Sequence, residues 1–141
     1  MAELTEEQRE RIAQALDAVP FAKFLGIRLD SVEPGRAVLS MEIREELKRN
    51  HGIVHGGAIA SLIDSATAFA IIPLLADNEL TTTVDLTIHY LRPLTEGIAK
   101  ASACVVRAGR RVVVVSAEVF DHKGELAATA ISTYLRMATT H

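Results

Sequence analysis

NHGIVHGGAIASLIDSATAF, residues 50–69, is the stretch that decides the fold. A His-Gly-Gly triplet (His55, Gly56, Gly57) runs straight into Ala58, Ile59, Leu62, Ile63, Ala66, Phe69, Ala70 and Ile71, which cover nearly the whole circumference of a helix. A helix apolar all round belongs in a core. Only Ser61, Asp64 and Ser65 interrupt it, at spacing i, i+3, i+4, so they form one narrow polar stripe continuous with Gly57. An ionised carboxylate rarely sits on a buried helix unless it is paired or has a chemical task. Asp64 lies seven residues past Gly57, about two turns, and so shares its face. The segment reads as an anion-binding helix start with an acid below it.

Upstream, Thr5 with Gln8 fits a capping box, and Ile12, Leu16 and Val19 form a narrow apolar stripe on a first helix that should stop near Pro20. Phe21–Gly26 reads as a short apolar helical piece closed by glycine. Ile27–Val32 reads as a strand, followed by a turn at Glu33, Pro34 and Gly35. In Arg36–Ile43 apolar residues alternate at Ala37, Leu39, Met41 and Ile43, the period of a half-buried strand. Downstream of the central helix, Thr82–Leu91 alternates cleanly. Thr82, Val84, Leu86, Ile88 and Tyr90 are expected on one face, with Thr83, Asp85, Thr87 and His89 opposite. Ile98–Arg107, Arg111–Phe120 and Glu125–Arg136 follow as strands, joined by short connections with hairpin chemistry. Helix, strands, buried helix and then an antiparallel run make an α+β fold, a curved sheet wrapped on a central helix.

At 141 residues the chain should bury a core without disulfides or metal, and we expect one domain: residues 1–20 as an N-terminal helix and 21–141 as the main body. Acidic and basic residues nearly cancel to a net charge of −3, and aromatics are only 4%. Neither suits binding of nucleic acid by charge or base stacking. The one cysteine, Cys104, cannot build a disulfide framework and is expected to fill core space. The first residues are charged and lack the apolar run of a secretory signal. The closest apolar run, Ala66–Ala76, contains Pro73 and falls short of the roughly 20 residues that span a bilayer. A cytoplasmic protein with no membrane partner is expected.

The HGG opening of a buried helix, an aspartate nine residues after the histidine, and the later TVDLTIHYLRP strand resemble the hotdog-fold acyl-CoA thioesterases. The nearest group is the phenylacetic-acid-degradation (PaaI-like) type, which includes the small mammalian acyl-CoA thioesterases. The resemblance runs from about Phe21 to Leu135. It implies dimers whose sheets join, often paired into homotetramers. It also implies a site between two subunits, with the HGG segment from one and the aspartate from the other.

Thioester hydrolysis needs a polarised carbonyl, a place for the oxyanion, and a nucleophile or activated water. The resemblance makes the Gly56 N–H the oxyanion donor and Gly57 the residue permitting close approach. Asp64 becomes general base or nucleophile, His55 a group that orients or polarises the thioester or fixes the loop, and Thr83 the hydroxyl that holds the attacking water. Asn50 stands five residues before the HGG histidine, where the family places an asparagine six before, and Arg49 occupies that six position. Ser65 on the polar stripe, Arg107, Arg110 and Arg111 around the Gly109 turn, and Lys123 on the next hairpin are candidate substrate contacts; arginine forks suit coenzyme A phosphates. His51 and His55 lack the glutamate of an HExxH site, so no metal is expected, and no cofactor. A non-catalytic acyl-CoA-binding module and a dehydratase on the same fold remain open alternatives.

Overall fold

The computed structural model describes residues 3–139. Helix α1 spans Glu6–Asp17, and the Thr5 and Gln8 side chains cap each other's backbone N–H as expected. Ile12 and Leu16 are buried, whereas Val19 is exposed, so the stripe is one residue shorter than its spacing suggests. Arg9 holds α1 to the first strand by hydrogen bonds to the Val32 carbonyl and the Glu33 carboxylate. Helix α2, Pro20–Leu25, starts on proline and ends on Gly26, whose φ of 75° is the left-handed cap that glycine adopts without strain. Its Phe21 and Phe24 are both exposed.

Six antiparallel strands form one sheet: β1 Ile27–Glu33, β2 Arg36–Glu42, β3 Glu79–Tyr90, β4 Ile98–Ala108, β5 Val112–Phe120 and β6 Leu126–Ala138. Their order is β1-β2-β4-β5-β6-β3. The expected strands are all present, but the connection from β3 to β4 is not a hairpin. β3 crosses to the far edge and pairs with β6, while β4 lies between β2 and β5. Local turn chemistry made Pro93–Gly97 look like a hairpin loop; the pairing of β3 with β6, three strands later in the chain, decides otherwise.

Helix α3, Gly56–Ile71, packs across the sheet, with Leu62, Ile63, Ala66, Ala70 and Ile71 fully buried. Facing it are Ala37, Leu39 and Met41 of β2, then Ala99, Ala101 and Ala103 of β4. The alanines let the sheet approach a helix that itself carries large aliphatic side chains. With the 3₁₀ turn that follows it, Gly56–Leu74 is long and apolar enough, by length and composition alone, to cross a membrane. It is longer than the run Ala66–Ala76 because it reaches back to Gly56 and takes in Ser61, Asp64 and Ser65. In the fold this segment is the core helix under the sheet. Cys104 also departs from expectation: it is half-buried on the sheet face turned away from α3, with Ser102 and Ser116.

Strand β3 does not alternate cleanly. Thr83 pairs with Tyr134 but Asp85 pairs with Thr133, so Val84 is an extra, bulged residue. The bulge turns Thr83 to the helix side with Leu86, Ile88 and Tyr90. Asp85 is left on the opposite face, contrary to the shared face expected for Thr83 and Asp85. Ser132 stabilises the bulge by donating its hydroxyl to the Asp85 carbonyl at 3.1 Å.

Candidate active site

The start of α3 is built by its own three-residue motif. His55 is the N-cap, and its Nδ1 accepts the Gly57 N–H at 2.8 Å. The ring therefore carries its proton on Nε2. Gly56, the first helical residue, has no intrahelical acceptor for its N–H, and no other acceptor meets it among the described residues. Its carbonyl accepts from the Tyr90 hydroxyl at 2.9 Å. Neither glycine has a positive φ, so crowding rather than backbone angle distinguishes them, and only Gly57 is crowded. A Cβ on Gly57 would lie 2.9 Å from the His55 Nδ1, and one on Gly56 would lie 3.4 Å from the Tyr90 ring and hydroxyl.

Two turns further along, Asp64 is the one ionisable residue of α3. Its Oδ1 accepts from the Thr83 hydroxyl at 2.9 Å and lies 3.2 Å from the Tyr134 hydroxyl. No salt bridge reaches it among the described residues. Tyr134, buried on β6, also lies 2.8 Å from the Asp64 carbonyl and 2.7 Å from the Thr67 hydroxyl. Burial, with the adjacent Asp64 charge adding to it, pushes the Tyr134 phenol up to about 12. Burial also raises Tyr90. Ser61 and Ser65 return their hydroxyls to the helix carbonyls of Gly57 and Ser61, so the polar stripe is largely self-satisfied.

The predicted residues divide into groups. Asp64 and Thr83 are brought together, through the bulge that the sequence hid. His55, Gly56 and Gly57 form one unit at the helix start. Asn50 opens a separate 3₁₀ turn, where its Oδ1 accepts both Nε and Nη2 of Arg49 at 3.1 and 3.0 Å. Arg107, Arg110 and Arg111 flank the β4–β5 turn, whereas Lys123 sits in the β5–β6 turn at the other end of β5. The nine residues of β5 place these turns about 30 Å apart, so within one chain they do not share a phosphate. Tyr134 was missed as a site residue, and Tyr90 was placed on its strand face without its bond to Gly56. A tyrosine in the middle of an apolar strand is the only sequence signal for the first, since a buried phenol needs a polar partner.

Clefts of ≈ 280 Å³ and ≈ 240 Å³ flank the first turn of α3, one floored by Gly56, Ile59 and Tyr90, the other by Gly57, Ser61 and the exposed Phe21 and Phe24. Each is smaller than the roughly 300–1,000 Å³ typical of small-molecule sites.

The chain matches known proteins in both sequence and fold. The chain belongs to the thioesterase superfamily, whose family model matches residues 51–128. The medium/long-chain acyl-CoA thioesterase YigI of Escherichia coli is 28% identical, over 95% of this chain and 97% of its own length. Among solved structures, the PaaI protein from the phenylacetic acid degradation operon of E. coli has a TM-score of 0.84 and 28% identity, covering 93% of this chain and 94% of that one. The thioesterase HI1161 of Haemophilus influenzae shares the fold with a TM-score of 0.85, covering 98% of this chain and 94% of its own, at 18% identity.

Proposed function

We propose that this protein hydrolyses acyl-CoA thioesters to the free acid and coenzyme A. The observation that carries the reading is Asp64, a lone carboxylate on an otherwise non-ionisable core helix, held at one oxygen by Thr83 and Tyr134. Gly56 N–H supplies the oxyanion donor, supported by its lack of any acceptor among the described residues. Asp64 removes a proton from water as it attacks the carbonyl, or attacks the carbonyl itself to give a mixed anhydride that water then opens. In both courses the carbon–sulfur bond breaks and the thiolate leaves with a proton from solvent. His55 sets the helix start by capping Gly57 and presents Nε2–H toward solvent. Thr83 acts on Asp64 directly, by the hydrogen bond it donates.

The site is shared between two copies of the chain. Gly56 and Asp64 are eight residues apart on one helix, about 12 Å along the axis, too far for one thioester carbonyl to meet both. The β3 edge lies beside Asp64, runs for 12 residues and has no proline or lysine to blunt it. A second copy pairing along β3 covers this edge and brings a second α3 to the first, making a homodimer the minimal unit and a homotetramer the fuller assembly. It also enlarges the small clefts at the helix start. Arg107, Arg110, Arg111 and Lys123 are the surface cations available to coenzyme A phosphates, with the two turns serving different sites.

The test is a panel of acyl-CoAs of varied chain length and aryl-CoAs, followed by thiol release. Turnover that drops by about 10²–10⁴-fold in Asp64→Asn is expected. Binding without turnover on every member would instead make the protein an acyl-CoA-binding module. Single turnover in H₂¹⁸O tests for the anhydride course, because ¹⁸O enters the Asp64 carboxylate only when water opens an anhydride at the Asp64 carbon.

A further inference from the structure

The buried polar side chains of this core are concentrated at one place. Ser40, Thr67 and Ser132 are the buried serine and threonine residues among those described. Thr67 touches Tyr134, and Ser132 holds the bulge that presents Thr83. Only Ser40, bonded to Asp30, lies elsewhere. Packing alone would be served as well by phenylalanine at 134, since a buried hydroxyl is costly unless it is hydrogen-bonded. We propose that Tyr134 is a positioning residue for hydrolysis: with Thr83 it fixes the Asp64 carboxylate through Oδ1 and directs Oδ2 at the reacting centre.

One arrangement of the protons serves this. Tyr134 has one proton and three oxygens within 3.2 Å: Thr67 Oγ1, the Asp64 carbonyl and Asp64 Oδ1. Thr67 also carries one proton, and Ile63 O and Asp64 O lie 3.0 and 3.1 Å from its oxygen. When Thr67 donates to Tyr134, the phenol proton is left for Asp64, shared between its carbonyl and its Oδ1. An ionised acceptor strengthens that bond about twofold over a neutral one. The phenol stays protonated throughout the working range, because its titration is displaced far into the alkaline. Oδ1 is thus bonded from two strands, β3 and β6, while no side chain among the described residues donates to Oδ2.

The proposal rests on the hydrolase reading, and its test keeps the two apart. Tyr134→Phe removes one oxygen and keeps the ring. We expect kcat to fall about 10–100-fold, the loss typical of a misplaced catalytic group, with KM within about twofold. The same change made beside Asp64→Asn is expected to lower the rate no further. Equal falls in both backgrounds would mark a merely structural tyrosine and overturn the assignment. Thr67→Val runs the same comparison if the phenylalanine variant does not fold, with a smaller fall expected beside wild-type Asp64 and none beside asparagine. If the wild-type protein turns over no thioester, the hydrolase reading fails and the positioning claim is read by proton NMR. A slowly exchanging Tyr134 hydroxyl signal that moves upfield in Asp64→Ala is expected; a signal unmoved by that change overturns the bond.

Discussion

Replacing Gly57 by alanine separates the stability of the helix start from its function. The added Cβ would sit 2.9 Å from His55 Nδ1 and 3.1 Å from Cε1, so the imidazole must leave its cap. Losing an N-cap hydrogen bond costs about 1 kcal/mol. Alanine in place of glycine returns about 0.8–1 kcal/mol of helix propensity. Gly57 does not use a positive φ, so no backbone strain is added. The net change in stability is therefore within about 1 kcal/mol of zero. Activity should respond differently, because the lost cap no longer fixes the helix start that presents the neighbouring Gly56 N–H. A shift of about 1 Å in such a group lowers kcat/KM about 10²-fold. Urea unfolding and thiol release on the best thioester measure the two quantities. Wild-type kcat/KM in Gly57→Ala would refute the reasoning, as would a stability loss above about 3 kcal/mol.

Two further outcomes follow from the core. Leu62 is fully buried between α3 and the sheet, so Leu62→Ala should lose about 2–5 kcal/mol in urea unfolding; a loss under about 1 kcal/mol would mean the helix is not packed as described. Tyr134 should also make the fold sensitive to alkali. Its folded-state value of about 12 exceeds the ordinary 10, so both states keep the proton below pH 10 and the full contribution is present. Above that the unfolded chain ionises first, and a contribution on the order of 2–3 kcal/mol drains away as pH rises to 12. The wild type should lose that much more stability than Tyr134→Phe between pH 9 and 12, and parallel losses would contradict it.

What could be read from sequence was local. The capping pair Thr5–Gln8, the glycine stop at Gly26, the HGG helix start and the apolar sweep of α3 each depend on neighbours within a turn or two. The placement of Thr83 beside Asp64 does not. It requires a bulge at Val84, and ELTTTVDLTIHY alternates through that point without interruption; the hydroxyl that meets the bulge is on β6, at Ser132, far along the chain. The far-edge position of β3 was hidden for the same reason, since turn residues at Pro93–Gly97 say nothing about which strand β3 joins. His55 illustrates a subtler limit. Its identity marked the motif, but its role as a cap for Gly57 depends on a ring orientation that no spacing rule supplies. Tyr134 went unnoticed because TYLR reads as ordinary strand, and only burial beside a carboxylate gives its hydroxyl a purpose.

The shared site itself can be tested by mixing two crippled chains. Asp64→Asn lacks the carboxylate, and Gly56→Val, whose branched side chain would run into Tyr90, lacks an open oxyanion donor. Each alone should be nearly inactive in thiol release. With a shared site, Gly56 of the first chain would face Asp64 of the second in a mixed dimer, leaving one of the two sites whole. Random remixing after unfolding and refolding should then restore about a quarter of wild-type activity. Activity that stays at the level of the separate variants, with mixed dimers demonstrably formed, would contradict a site built from two chains.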